Sequence, residues 1–257
     1  MLSWEGDGPP LLLLHGMAGN AHWWEGVAAR MTDSFQPVAL DFQGHSDSGW
    51  RQDGVYDAGL FAENIETARQ ALGLARMALA AHSMGARIAL DYAARFPERV
   101  SALIVIDFLP ELLGYEERSP RFERVRKRRQ PSYSDPEVML ERFHLEPPGT
   151  LLDAGVLREF ARHCLRKTEK GWSWKFDWRA FLTKYEPVWP LLPKITVPTL
   201  IVRGEHSTVL PRPAYDRLLK GLPGSKGADI ARSFHHVPLD CPSELAEAMK
   251  TFLCASC

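Results

Sequence analysis

Residues 75–96 constrain this chain more than any other stretch. Residues 75–80 form a short apolar run that reads as a strand. Residues 84–96 read as a helix, with Ile88, Ala89, Tyr92, Ala93 and Phe96 on one face. Between them lies Ala81-His82-Ser83-Met84-Gly85. A strand that passes through one serine directly into a helix must turn sharply. A serine on such a turn holds its hydroxyl exposed, the arrangement of a nucleophile elbow. The turn leaves little room for bulk two residues away, a demand that Ala81 and Gly85 both meet. The N–H of Met84 then stands at a helix N-terminus, where unpaired donors and the helix dipole favour negative charge. Taken alone, the pentapeptide also fits an ordinary serine in a strand-to-helix turn.

The rest of the chain alternates strand and helix around this unit. Leu11, Leu12, Leu13 and Leu14 make a continuous apolar run, the pattern of a strand buried on both faces. It ends in His15-Gly16-Met17-Ala18-Gly19, where two glycines permit a tight loop with converging N–H groups. Trp23 and Trp24 lead into a helical stretch ending at Met31. A strand over residues 36–40 closes in Asp41-Phe42-Gln43-Gly44-His45-Ser46, with Asp41 placed to brace loop backbone. A helix over 59–72 follows. Pro97 stops the helix after Ser83, and a strand over 101–106 ends in Asp107. The alternation resumes with a strand at 198–202 leading to Gly204, Glu205, His206 and Ser207. A helix at 213–219, a strand at 228–233, then His235 and His236, and a helix at 243–253 complete it.

Residues 110–190 break this rhythm. They show no clear strand and carry a basic run (Arg118, Arg121, Arg124, Arg126, Lys127, Arg128, Arg129), then Trp172, Trp174, Phe176, Trp178 and Trp189. They read as a mainly helical cap lying over the sheet. Repeated strand–helix units predict an α/β fold, a mostly parallel doubly wound sheet. The predicted core is 1–109 with 191–257, and the predicted cap is 110–190.

A net charge of −1 gives no overall field toward nucleic acid or a membrane. The first residues hold no basic region or long apolar run, so neither a signal peptide nor a membrane span is expected. Cys164, Cys241, Cys254 and Cys257 have no spacing that demands a disulfide framework, and a cytoplasmic setting is expected.

Ligands of such sheets bind beyond the carboxyl ends of the strands. The loops there carry His15-Gly16-Met17, Ser83, Asp107, Glu205 and His235, the residue types of acyl transfer. Four motifs in this order, His15-Gly16-Met17-Ala18-Gly19, Asp41-Phe42-Gln43-Gly44-His45-Ser46, Ala81-His82-Ser83-Met84-Gly85 and His235 seven residues before Pro242, resemble the α/β-hydrolase superfamily, in its serine-nucleophile branch with a helical cap. The resemblance runs from Leu2 to the C-terminal helix and is weakest over the cap. It implies a cap inserted after the sixth strand, Ser83 as nucleophile, His235 as base, and the N–H groups of Met17 and Met84 as oxyanion hole. His15 is expected to shape its loop.

The chain departs from its relatives at the triad acid. Most carry an Asp three residues after the Gly of the penultimate strand, and here that place is Ser207. Asp107 and Glu205 are the candidates, unless the site lacks an acid. Asp107 is favoured, because a carboxylate ending the strand after the Ser83 helix can reach a histidine of the last strand loop; this position also resembles the acid site of haloalkane dehalogenases.

The implied activity is hydrolysis of a carboxylic ester of a small or medium apolar substrate, through an acyl-enzyme on Ser83. Thioesterase or carbon–carbon bond hydrolase chemistry would use the same groups, and a ligand-binding receptor with little turnover is the rival of another class. Trp23, just after the oxyanion loop, is a candidate pocket wall. The basic run reads as a solvated face with Glu116, Glu117 and Glu123; docking of an acyl-carrier protein is the alternative. No metal-ligand cluster or phosphate-cradling glycine loop is evident, so no cofactor and no metal are expected.

Overall fold

The computed structural model describes residues 1–111, 123–125, 127–128 and 130–255. Its centre is a seven-stranded sheet in the order β1-β3-β2-β4-β5-β8-β9. The strands are β1 (Leu2–Ser3), β2 (Pro10–Leu14), β3 (Gln36–Leu40), β4 (Met77–His82), β5 (Val100–Ile106), β8 (Thr199–Gly204) and β9 (Lys226–Ile230). Only β1 runs antiparallel, against β3; the other pairs are parallel. The expected mostly parallel α/β sheet is therefore present.

The leucine run of β2 shows why the sheet is covered on both sides. Leu12 and Leu14 enter one core cluster, and Leu11 and Leu13 enter the other. The same alternation holds in β4 and β5. Met77, Leu79, Leu103 and Val105 face one way, and Ala78, Ala80, Ile104 and Ile106 the other. Side chains alternate across a strand, so a strand with two buried faces must be apolar throughout. On the first face lie α2 (Ala58–Ala71) and α3 (Met84–Arg95). On the second lie α1 (Glu25–Ala28), preceded by the 3-10 turn Ala21–Trp24, and the C-terminal helix (Pro242–Cys254), here α7. Helix α6 (Arg212–Gly221) packs against the first face through Tyr215 and Leu218.

The segment between β5 and β8 departs from expectation in two ways. It follows the fifth strand in chain order rather than the sixth. It is also mixed: beside helices α4 (Pro136–Glu141) and α5 (Ala154–Arg162) it contains an antiparallel hairpin of β6 (Leu165–Thr168) and β7 (Gly171–Trp174). The period-two pattern of Trp172, Ser173 and Trp174 is the physical reason. Ser173 is buried and donates to the Pro131 carbonyl at 2.7 Å, while the two indoles lie on the opposite face of the strand. Of the basic run, Arg118, Arg121, Arg126 and Arg129 lie outside the described residues, as do Glu116, Glu117 and Cys257. Lys127 pairs with Glu123 at 3.4 Å, and the Arg128 guanidinium sits 3.5 Å above the Trp178 ring. Among the described residues Cys164, Cys241 and Cys254 are free thiols. No helix among them is long and apolar enough to cross a membrane.

One buried cation ties the segment to the sheet. Arg87, on α3, is 3% exposed. Its Nη1 donates to the Leu109 and Pro110 carbonyls at 2.8 and 3.1 Å, and its Nη2 donates to the Glu186 carbonyl at 3.0 Å. Both stems of the inserted segment thus converge on the helix that follows Ser83.

Candidate active site

Ser83 sits where β4 gives way to α3, with φ 54° and ψ −116°. A non-glycine residue with positive φ is strained by about 1–3 kcal/mol and persists only where its surroundings over-determine it. Here they do. The Ser83 N–H donates to the Ile106 carbonyl at 2.9 Å, and its own carbonyl accepts from Ala86 N–H at 3.1 Å. Gly85 is required by contact: a Cβ there would lie 2.7 Å from the His15 carbonyl oxygen and 2.8 Å from that of Leu14. Both obstacles are backbone, so neither can yield cheaply.

The loop after β9 brings His235 to this serine. His235 Nε2 lies 3.1 Å from Ser83 Oγ, and Nδ1 lies 2.7 Å from Asp107 Oδ1. Asp107 follows β5 directly, is fully buried and has φ 40°. Its Oδ1 also accepts the Ser207 hydroxyl at 2.6 Å, and its Oδ2 accepts Gly204 N–H at 2.9 Å. Glu205 does not join this group. It is exposed, and its carboxylate accepts Arg232 N–H at 2.8 Å. Ser207, at the place where most relatives are expected to carry an Asp, serves here as a donor to Asp107 on the neighbouring strand. The sequence reading passed over that role, although the position itself was the signal.

The loop Gly16 to Gly19 packs over the serine. A Cβ on Gly16 would lie 3.0 Å from Ser83 Cβ. His15 is fully buried; its Nδ1 donates to the Gly16 carbonyl at 2.7 Å and its Nε2 accepts Phe42 N–H at 3.2 Å. Gly19 N–H donates to the same Gly16 carbonyl at 3.0 Å. These two bonds fix the plane of the Gly16–Met17 peptide, and with it the direction of the Met17 N–H. The Met84 N–H is the first of α3 and has no partner within its own helix. Asp41 braces the start of the 3-10 turn, accepting Ala21 N–H at 2.8 Å.

Burial dominates the electrostatics. It holds His235 well below the usual imidazole range, and nearby His236 adds to that shift. The His235 ring is therefore neutral at neutral pH and available as a base. Burial pushes the Asp107 carboxyl up, and the Ser207 hydroxyl and Gly204 N–H pull it back down. Two further histidines flank His235, neither of them singled out by spacing. His82 Nε2 donates to the His235 carbonyl at 2.9 Å, and His236 Nε2 donates to the Pro147 carbonyl at 2.9 Å. Burial lowers both. Trp23 is 6% exposed, with its ring centroid 5.4 Å from those of both His82 and His236. Phe160 of the inserted segment meets Trp23 edge-on at 5.8 Å. Trp23 thus lies between the histidine layer and the insertion.

Comparison with known proteins agrees with the fold. The sequence profile of the family described as the alpha/beta hydrolase fold matches residues 9–242. The chain is 27% identical to the esterase Rv0045c of Mycobacterium tuberculosis over 98% of its own length and 85% of that protein. It is also 27% identical to the carboxylesterase YbfK of Bacillus subtilis, over 96% of this chain and 81% of the other. In fold it superimposes on a thioesterase domain from the curacin biosynthetic pathway with a TM-score of 0.81, at 22% identity over 96% of this chain and 93% of that one.

Proposed function

This chain belongs to the alpha/beta hydrolase fold family, and on that premise we propose that it is a carboxylic ester hydrolase acting through an acyl-enzyme on Ser83. One observation carries the reading: Ser83 Oγ, His235 and Asp107 form a hydrogen-bonded relay of 3.1 and 2.7 Å. Similarity to Rv0045c and YbfK, both named as esterases, supports the substrate class.

The steps follow from the geometry. His235 Nε2 takes the Ser83 proton as Oγ attacks the ester carbonyl. His235 Nδ1–H stays on Asp107, which fixes the tautomer and stabilises the imidazolium. The carbonyl oxygen gains negative charge and is held by the N–H groups of Met17 and Met84, each typically worth about 3 kcal/mol in such a role. His235 then returns the proton to the leaving alcohol. A water molecule repeats the sequence and releases the acid. Residues 110–190 act as the cap, and Trp23 with Phe160 walls the acyl pocket.

Asp107, rather than Glu205, is the triad acid. Its three hydrogen-bond donors and its place beside His235 support this, and the exposed Glu205 lies elsewhere. A complete relay also favours turnover over a receptor role. Thioester and carbon–carbon bond cleavage would use the same groups, and a substrate panel separates them. The test of the reading is intact-mass labelling with a fluorophosphonate. One adduct is expected on the wild type and none on Ser83→Ala; an unlabelled wild type would remove the enzyme assignment.

A further inference from the structure

Sequence spacing shows no metal-ligand cluster, yet the fold assembles one outside the triad. His22 lies in the 3-10 turn Ala21–Trp24, and Glu25 opens α1. His163 is the residue that caps α5 at its C-terminus, in the inserted segment. The imidazole rings of His22 and His163 stack with centroids 3.8 Å apart and planes at 23°. Glu25 Oε1 lies 2.6 Å from His22 Nδ1. One ligand atom from each of the three side chains falls within 4.8 Å of the other two. We propose that His22, Glu25 and His163 form a transition-metal site that fastens the inserted segment to the core.

The donor set decides the class of ion. Two imidazoles and one carboxylate suit Zn²⁺, Ni²⁺, Co²⁺ or Cu²⁺, whereas Ca²⁺ and Mg²⁺ require oxygen ligands. Metal–nitrogen bonds of about 2.0–2.1 Å place tetrahedral donors about 3.3 Å apart, so Glu25 Oε1 must open from its 2.6 Å contact with His22 Nδ1 and the two stacked rings must tilt toward a common point. They have the freedom to do so: the His22 and Glu25 side chains are 20% and 52% exposed. Three protein ligands leave a fourth position for water. Of the neighbouring charges, Glu159 favours a cation and Lys175 opposes it.

The site lies on a seam that is already in contact. Asn20, which caps the 3-10 turn two residues before His22, donates through Nδ2 at 3.4 Å to Sγ of Cys164, the residue after His163. Trp23 follows His22 and packs on His82, His236 and Phe160. An ion here stiffens the wall formed by Trp23 without touching the base. A second trio, His82, His235 and His236, also has ligand atoms within 4.8 Å of one another, but it includes the base itself. It is the competing location for any bound ion.

Tag-free protein is titrated with Co²⁺, read by visible absorption, and with Zn²⁺, read by equilibrium dialysis and thermal unfolding. The wild type is expected to bind one ion per chain and to melt higher with Zn²⁺. His22→Asn and His163→Asn should each bind at least roughly tenfold more weakly and lose the Zn²⁺-dependent rise. Glu25→Gln, which keeps both rings, should weaken binding by a smaller factor. Near-UV circular dichroism and metal-free fluorophosphonate labelling confirm that the variants fold, and keep this result separate from the hydrolase assignment. No saturable binding by the wild type would overturn the site. So would affinity unchanged in either histidine variant, or binding lost only in His236→Asn.

Discussion

Replacing Asp107 with Asn separates two consequences that the structure makes distinct. The carboxylate accepts three hydrogen bonds, from His235 Nδ1–H and the Ser207 hydroxyl on Oδ1 and from Gly204 N–H on Oδ2. An amide has only one acceptor oxygen. If that oxygen stays toward His235, the new NH₂ faces Gly204 N–H, two donors meet in a fully buried place, and stability falls by about 1–3 kcal/mol. If the amide flips, Gly204 is satisfied, but the NH₂ then faces His235 Nδ1. The ring must carry its proton on Nε2 and cannot accept from Ser83. Holding that wrong tautomer is worth roughly 10⁴ in turnover where it has been measured in a serine-protease triad, or about 5 kcal/mol at 1.36 kcal/mol per decade. Ser207 accommodates the flip only in part: its hydroxyl oxygen already accepts Val209 N–H at 3.1 Å and Leu210 N–H at 3.4 Å, so it takes the new NH₂ only by giving up the longer of these bonds. Asp107→Asn is therefore expected to lose about three to four decades of kcat together with about 1–3 kcal/mol of stability from the buried group left unmatched. Glu205→Gln should stay within about threefold, since that carboxylate only holds exposed backbone. Esterase kinetics on a chromogenic acyl ester, with thermal unfolding alongside, reads both. An Asp107→Asn enzyme that keeps a tenth of its activity, or a Glu205→Gln enzyme that loses it, would refute the reasoning.

Three further outcomes are expected. Activity requires neutral His235, which burial keeps neutral through the usual imidazole range near ~6.5, and ionised Asp107, whose carboxyl burial pushes up to about 7, so the acid limb of kcat/KM is expected to follow the carboxylate rather than the imidazole; an acid limb that persists in Asp107→Asn contradicts this. Gly85→Ala should abolish labelling of Ser83 and lower the melting temperature, because the added methyl meets two backbone carbonyls within 2.8 Å; a stable, fully labelled variant would show that the turn has slack. Leu13→Ala, at a fully buried position, should destabilise by about 2–5 kcal/mol and shift thermal unfolding by several degrees while the labelling rate of the folded protein is unchanged.

The core was legible because its signals are local. The leucine run of β2, the β-branched residues of β5 and the serine turn after β4 each declare their structure within a few residues, and the structure places them as read. The triad acid was less so. Asp107 and Glu205 end adjacent strands, and which one reaches His235 depends on the register between β5 and β8, where Ile106 pairs with Val202. That register aims Asp107 at Gly204 and Ser207 and leaves Glu205 outside. The hairpin of β6 and β7 was hidden because its tryptophans were read for bulk, not for their alternation about Ser173. The stacking of His22 on His163 was beyond reach, since nothing local in either neighbourhood refers to the other.

The three carbonyls gathered by Arg87 have a consequence for how a chain like this can diversify. The guanidinium binds main-chain oxygens, so its grip is indifferent to which side chains the anchored residues carry. Both ends of the insertion are pinned to the same helix that carries the serine turn. Lengthening the loop between two pinned ends costs only about 0.6 kcal/mol per doubling. The insertion can therefore be rewritten, grown or exchanged as a cassette, while the serine turn beneath it is inherited intact.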